Sequence, residues 1–460
     1  MTGLQTSRLE PPTMNRIFSI ALPMVLSQAT DTVMLFADRL FLSRLGKTYI
    51  AASMSGGLTS LVVQSLFLGI IGYVNAMVAQ YYGAGKNENC ARTVSQGMYL
   101  SLVSYPVLLA IIPHIYRFFS FMGHTESQIL LEYSYFRILI FGSVLGLFRT
   151  AVNGFFIGLG KTRIVMTANI AAMVINVPLN YIFIFGKLGF PAMGMEGAAL
   201  GTVCGGFGAL VIMAGIYFGP RYAKEFGTRT NWRFNLPLTK TLARYGVPAG
   251  FEFFINIAAF NIFLQLIHSY SEDVAAAVTI TFNWDLVAFI PMIGVGVATT
   301  TLVGQYVGAG DYVGARKATW LAYRIALSYA GFMILMFLTQ TGTLVSVFTS
   351  GFSDTGGNVV SLAKTMLRLA AMYTFFDATN LVFSGALRGA GDTKWVMWIS
   401  GTLHWLMVTG VIVCIKVIKL SPVGTWLFFI GFIVALGGSM LLRYRFGNWE
   451  RFRIVEEPAA

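Results

Sequence analysis

The residues best able to do chemistry in this sequence are carboxylates and carboxamides set inside long apolar runs. An ionisable side chain in hydrocarbon is costly, so it pairs with something or lines a pathway. Asp31 and Asp38 lie two helical turns apart in the first run and share a helix face. Arg39 follows Asp38, and Arg44 is close behind. Asp38 can therefore neutralise an arginine near its helix end, or it can face a cleft and bind a proton or a cation. Asn176 and Asn180 are one turn apart with Pro178 between them. Proline removes one helical hydrogen bond and can open the backbone there. The two amides can bridge to Asp38, with the Thr202 hydroxyl added, or they can act as glue between helices.

The second half of the chain also holds buried acids. Glu252 follows Pro248 and Gly250, with Asn256 one turn on. Asn283, Trp284 and Asp285 are consecutive. Asp377 sits mid-run, followed by Thr379 and Asn380, too deep for a merely solvated carboxylate. A buried carboxyl can carry a proton, and one with several oxygen neighbours can hold Na⁺. Gln28, Phe36, Phe282, Asn283, Trp284 and Asp285 are the candidate substrate contacts, because aromatic faces attract a flat organic cation. Other chemistry is poorly supplied. His114, His124 and His268 fall near run ends, and His404, beside Trp405, reads as packing. Cys90, Cys204 and Cys414 are scattered and share no metal-site spacing. No Ser–His–Asp set is anchored by a motif. Neither catalysis nor a bound cofactor is expected.

Composition names the scaffold that must hold these groups. Of 460 residues, 56% are hydrophobic and only 11% are charged. That is about half the charged share of a soluble domain, too little to cover a soluble fold of this size. The chain reads as an all-α, polytopic membrane protein. Twelve apolar runs suffice to cross the hydrocarbon: 17–42, 50–80, 93–119, 131–158, 163–186, 196–219, 242–270, 275–306, 318–348, 359–387, 394–416 and 423–443. Helices satisfy the backbone inside lipid, and these runs are continuous rather than alternating as barrel strands would be. The first run has no small-residue cleavage site and is expected to be a membrane helix, not a cleaved signal.

The net charge of +13 suggests nucleic acid at first sight, but the positives form no single basic face. With the N-terminus in the cytoplasm, most of the 32 Lys and Arg fall inside, Arg8, Arg149 and Arg453 among them. Arg39, Arg44 and Lys47 are a local exception on the outer side. Both termini are thus expected in the cytoplasm, with the protein in the inner membrane of a prokaryote. The longest polar connection, Gly219–Arg244, separates two sets of six runs. The division is then a cytoplasmic segment 1–16, an N-lobe 17–219, a cytoplasmic linker 220–241, a C-lobe 242–443 and a cytoplasmic tail 444–460.

The halves resemble each other. Ala79–Gly85 (AQYYGAG) matches Gly304–Gly310 (GQYVGAG), and Gly154–Thr162 (GFFIGLGKT) matches Gly385–Thr393 (GALRGAGDT). The matches come in order, at nearly equal offsets, on the cytoplasmic side. Six spans preserve side, so the repeat is parallel, a plan common in transporters with a site between repeats. Gly158–Thr162 is not read as a phosphate-binding loop, because membrane helices flank it and no buried strand precedes it. Helix ends and tight turns explain its glycines.

Over about residues 14–440 the chain resembles the multidrug and toxic compound extrusion (MATE) family. The resemblance rests on Leu22-Pro23 through Asp38, the Gln-x-x-Gly-Ala-Gly runs after spans two and eight, and Asn176-Val-Pro-Leu-Asn180. Gly194–Ala199 leading into Thr202, and Gly385–Thr393, add to it. It implies two six-helix lobes with pseudo-symmetry, meeting at a cleft that opens alternately to each side. The implied activity is export of organic, often cationic, compounds in exchange for Na⁺ or H⁺. Asp38 matches the family's first-helix carboxylate of a cation site, and Asn176 and Thr202 match its accessory ligands. Asn180 falls where some members carry a second acid. That departure removes a titratable group, for which Asp31 is the available substitute. On this reading Asp38, Asn176, Asn180 and Thr202 are the possible Na⁺ ligands. Asp377 matches the tenth-helix aspartate of NorM-like members. Their seventh-helix glutamate position is Asn256 here, with Glu252 one turn earlier. The second site is then either redrawn around Glu252 or does not bind a cation.

The expected partners are small organic substrates, cationic and partly aromatic, and membrane lipids, with no nucleic acid and a monomeric state. The alternative is a flippase or exporter of a lipid or lipid-linked substrate. Such a protein would want a more basic central cleft, whereas the central groups read here are acids and amides. A channel would need a recognisable filter loop. A receptor has no need of a duplicated unit with buried acids in both halves.

Overall fold

The computed structural model describes residues 9–349, 357–452 and 454–455. Arg8 and Arg453 of the charge count, and parts of the 1–16 and 444–460 segments, lie outside the described residues. The helices in chain order are α1 (Met14–Ser43), α2 (Lys47–Gly72), α3 (Val74–Gly83), α4 (Asn87–Phe121), α5 (Glu126–Phe141) and α6 (Ser143–Gly158). They continue with α7 (Thr162–Phe185), α8 (Met195–Tyr217), α9 (Pro220–Phe226), α10 (Leu236–His268) and α11 (Glu272–Gly308). The last are α12 (Tyr312–Thr339), α13 (Thr341–Thr349), α14 (Gly357–Ala390), α15 (Thr393–Ile412) and α16 (Pro422–Phe446).

Among the described residues, 11 helical segments are long and apolar enough to cross a membrane, and the bent pair α5–α6 makes the twelfth. The pair bends by 46° at Gly142. A side chain there would run into the Val203 side chain of α8, so the bend sits where the glycine makes room for that valine. The run read as 318–348 is divided: α12 stops at Thr339 and α13 is a separate short helix. Large apolar side chains in mid-helix face outward, Val103 at 69% and Trp398 at 65% exposure. Water would penalise such surface, and lipid does not.

The chain packs as two compact units. One runs from Pro23 to Phe254, and the other holds Ile255 onward together with the start of α1 up to Leu22. By packing, the division falls inside α1 and α10 and not in the polar connection 220–241. A polar connection marks where the chain leaves the membrane, and a helix can change packing partner elsewhere. The start of α1 is held in the second unit by Ile17, Ile20 and Ala21, in one core cluster with Leu302, Val303 and Tyr306. Arg16 donates to Gln305 Oε1 at 2.9 Å and to the Tyr306 hydroxyl at 3.2 Å. In the first unit, the start of α10 lies on α2, with Gly246 and Gly250 against the backbone of Ile70 and Leu66. The connection itself is ordered on α4. Arg92 Nε donates to Asn231 Oδ1 at 3.0 Å, and Ser95 Oγ donates to the Asn231 carbonyl at 2.9 Å.

The internal repeat has a backbone counterpart. Gly85 and Gly310, and likewise Gly160 and Gly391, have φ of +71°, +77°, +75° and +108°. After each glycine, an N–H reaches back five residues: Lys86 to Tyr81, Asp311 to Tyr306, Lys161 to Phe156 and Asp392 to Leu387, at 2.8–2.9 Å. These are helix C-caps in which a left-handed glycine reverses the chain. The Gly-Lys-Thr run at 160–162 is thus the end of α6 and the start of α7.

Candidate cation and substrate sites

The first site lies within the Pro23–Phe254 unit, where α1, α7 and α8 meet. Helix α8 presents Gly197, Gly201 and Gly205 at four-residue spacing. Such a stripe lets membrane helices approach backbone to backbone. It receives antiparallel α7 position by position: Gly197 lies on Phe183 and Ile184, Gly201 on Asn180, and Gly205 on Asn176 and Ala172. A Cβ on Gly205 would stand 2.8 Å from the Asn176 Cβ, and one on Gly201 would collide with Asn180 Oδ1. The stripe therefore seats both asparagines.

Asn180 Nδ2 donates to Asp38 Oδ1 and, at 3.3 Å, to Asn176 Oδ1. The Thr202 hydroxyl has one proton, shared between Asp38 Oδ2 at 3.3 Å and the Ala198 carbonyl at 3.0 Å. Asp38 is 4% exposed, Asn176 1% and Asn180 0%. Asn180 Oδ1 and Asn176 Nδ2 are buried, without hydrogen-bond partners among the described residues. Tyr135 of α5 adds a buried hydroxyl that faces Thr202 and Asp38. The amide nitrogen of Asn180 faces the carboxylate; with that amide turned over, the carboxylate, amide and hydroxyl oxygens together make a hard-donor set of the kind that small cations prefer. Among the described residues, no group of three or more His, Cys, Asp or Glu could hold a metal ion.

A cavity of about 410 Å³ opens beside this cluster, wholly within the same unit. Asp31, Asp38, Asn176, Thr202 and Tyr135 line it, together with Gln64, Arg39 and Arg149. Asp31 and Asp38 do share a face toward it. Arg149 stands within α6 and lines this cavity, although the charge count placed it at the cytoplasmic edge. The run 131–158 is long enough to carry residue 149 inside it, and that length was the available signal. Tyr135 was missed, and its only mark in sequence was the polar Glu132–Tyr135 stretch at the head of an apolar run.

The second cluster lies in the other unit. Asp285 of α11 faces the Tyr373 hydroxyl of α14, and Asp377, one turn beyond Tyr373, is within electrostatic range of both. Asn256 Oδ1 accepts from Ser400 Oγ of α15 at 2.7 Å. Glu252 is buried, 4% exposed, in the portion of α10 that belongs to the first unit.

The remaining expected substrate contacts scatter. Phe282 packs into an aromatic core with Phe260, Trp426 and Phe429. Trp284 donates its indole N–H to the Leu344 carbonyl at 2.9 Å and packs on Phe348. Both are partly buried and pack against the core, because their faces of α11 meet neighbouring helices. Asn283 is exposed and donates to the Thr279 carbonyl on its own helix. Phe36 is 67% exposed, and neither it nor Gln28 lines the cavity.

The glycine stripe gives a direct test of site geometry. Gly201→Ala is expected to displace Asn180 from Asp38 and to lower transport at least as much as Asn180→Ala. Monodispersity in detergent should be kept. Normal transport by Gly201→Ala would show that the Asn180–Asp38 contact does not matter.

These features define a multi-pass α-helical membrane protein with a polar, charged cavity inside one unit. The MatE family model matches residues 23–182 and 248–414. The chain is 28% identical over 396 residues to a probable multidrug resistance protein NorM of Neisseria meningitidis serogroup B, covering 84% of each chain. It superposes with a TM-score of 0.85 on an outward-facing multidrug resistance MATE family transporter, at 20% identity, covering 95% of this chain and 96% of that one. It also superposes, again at 0.85 and 20% identity, on a MOP superfamily transporter from Pyrococcus furiosus described by the reversed polarity of its binding pocket, covering 97% and 98%. The chain belongs to the MatE family. It is a secondary transporter of that family, not an enzyme.

Proposed function

We propose that this transporter is an antiporter that exports organic, partly aromatic cations in exchange for Na⁺ or H⁺, working as a monomer by alternating access. The observation that carries the reading is Asp38: a buried carboxylate, touched by Asn180 and Thr202, on the wall of the cavity. A proton or Na⁺ arriving from outside neutralises Asp38. With the amide as it stands, Asn180 donates Nδ2 to the carboxylate. Turned over, the same amide offers Oδ1 to a cation held there. Either change alters how α1 packs on α7 and α8.

Asp38, Asn176 and Thr202 also line the cavity. A cationic substrate and the coupling ion therefore compete for one negative charge, and that competition is the exchange. Coupling requires the ion to prefer one state, since equal affinity shifts nothing. The ion gradient and the membrane potential supply the work. Asp285 and Asp377 form a second pair in which a proton or cation would relieve the repulsion of like charges.

The test uses proteoliposomes loaded with ethidium, under an imposed Na⁺ gradient, then a pH gradient, then neither. Movement under one gradient alone is expected, and it would name the ion. No movement under either would overturn the reading, and a labelled-lipid flipping assay would then test the flippase alternative.

A further inference from the structure

Arg149 is the cavity residue that a site built only for cations does not need. It lies mid-way along α6, inside a membrane span, where an arginine is expensive unless it serves a pathway or a partner. It lines the cavity and is half-buried. Among the described residues it forms no hydrogen bond and no ion pair, and Asp31, on the same cavity wall, is its electrostatic neighbour. A guanidinium held this way keeps its planar fork of donors available. The cavity's formal charges are Asp31 and Asp38 against Arg39 and Arg149, and they balance. A simple cation finds an acceptor at Asp38 but carries nothing to offset the two arginines. A molecule carrying both charges finds an acceptor at Asp38 and a forked donor at Arg149. Met34, Met54, Leu61 and Leu139 supply apolar surface to the same cavity.

We propose that Arg149 is a specificity-determining residue that binds an acidic group of the cargo, so that the favoured substrates are organic cations that also carry a carboxylate. The proposal rests on the export reading for transport but not for binding. Charge-assisted, bidentate pairing of guanidinium with carboxylate is the strongest polar contact this cavity can offer.

Rhodamine 110, with a free carboxylate, and rhodamine 123, its methyl ester, differ at the relevant group alone. Binding of each to detergent-solubilised protein is read by fluorescence anisotropy, for wild type, Arg149→Gln and Arg149→Lys, each checked for monodispersity. The affinity ratio of carboxylate dye to ester dye is expected to fall about tenfold or more in Arg149→Gln, the value of one good charge-assisted contact. Arg149→Lys should recover part of it. An unchanged ratio in folded Arg149→Gln overturns the proposal, as does a wild type that binds neither dye or favours the ester. Proteoliposome transport of the two dyes is the separate arm. If binding shows the ratio change but neither gradient moves either dye, the export reading fails and the Arg149 subsite stands.

Discussion

Asp38→Asn is expected to abolish gradient-driven export while leaving the protein folded. The substitution is nearly isosteric, so helix packing around the site has little reason to change. It removes the one charge in a cluster whose other members, Asn176, Asn180, Thr202 and Tyr135, are all neutral. It also places a new amide beside the Asn180 Nδ2 donor, and the two amides can satisfy each other by turning over. The site then stays hydrogen-bonded but cannot be neutralised by an ion, so the ion no longer favours either state. Uphill movement of ethidium should drop to the level of protein-free liposomes under both gradients. Monodispersity and melting temperature should stay near wild type. Uphill transport at the normal rate by Asp38→Asn would remove Asp38 from the coupling mechanism.

The second large effect is expected at Asp285 and Asp377. The structure brings them to one place with Tyr373, and two carboxylates sharing a proton or a cation act as one group. Removing either leaves the other without its partner. Asp285→Asn and Asp377→Asn should therefore each lose most of the coupled transport, and the double variant should lose no more than the worse single one. Residues that work as a unit behave in this non-additive way. If the losses multiply instead, the two acids act independently. Tyr373→Phe keeps the ring and removes the hydroxyl facing Asp285, and it should cost less than either acid. Initial rates under the gradient that drives the wild type decide among these outcomes.

Gly201 and Arg149 show how far the sequence could be read. The stripe Gly197, Gly201, Gly205 and the pair Asn176, Asn180 share a four-residue period, so each lies on one helix face. That two such faces meet was not legible, because helices α7 and α8 are separate runs and periodicity describes one helix at a time. Arg149 carried a charge inside a run long enough to hold it. Counting charges by side of the membrane put it at the edge, since that count treats every arginine as surface.

Twelve crossings, all-helical structure, a duplicated plan and the polar residues of the first, fifth and sixth spans followed from composition and spacing. Those are local properties: hydrocarbon length, backbone satisfaction and helix period act on each stretch of chain by itself. Partnership followed only as one of two readings for Asp38 with Asn180 and Thr202, and elsewhere it did not follow. Asp377 comes within electrostatic range of Asp285, Asn256 bonds Ser400, Phe282 and Trp284 pack against the core, and α1 and α10 change unit part-way along. Each of these depends on which side chains fit between helices distant in sequence, and close packing in three dimensions decides that fit.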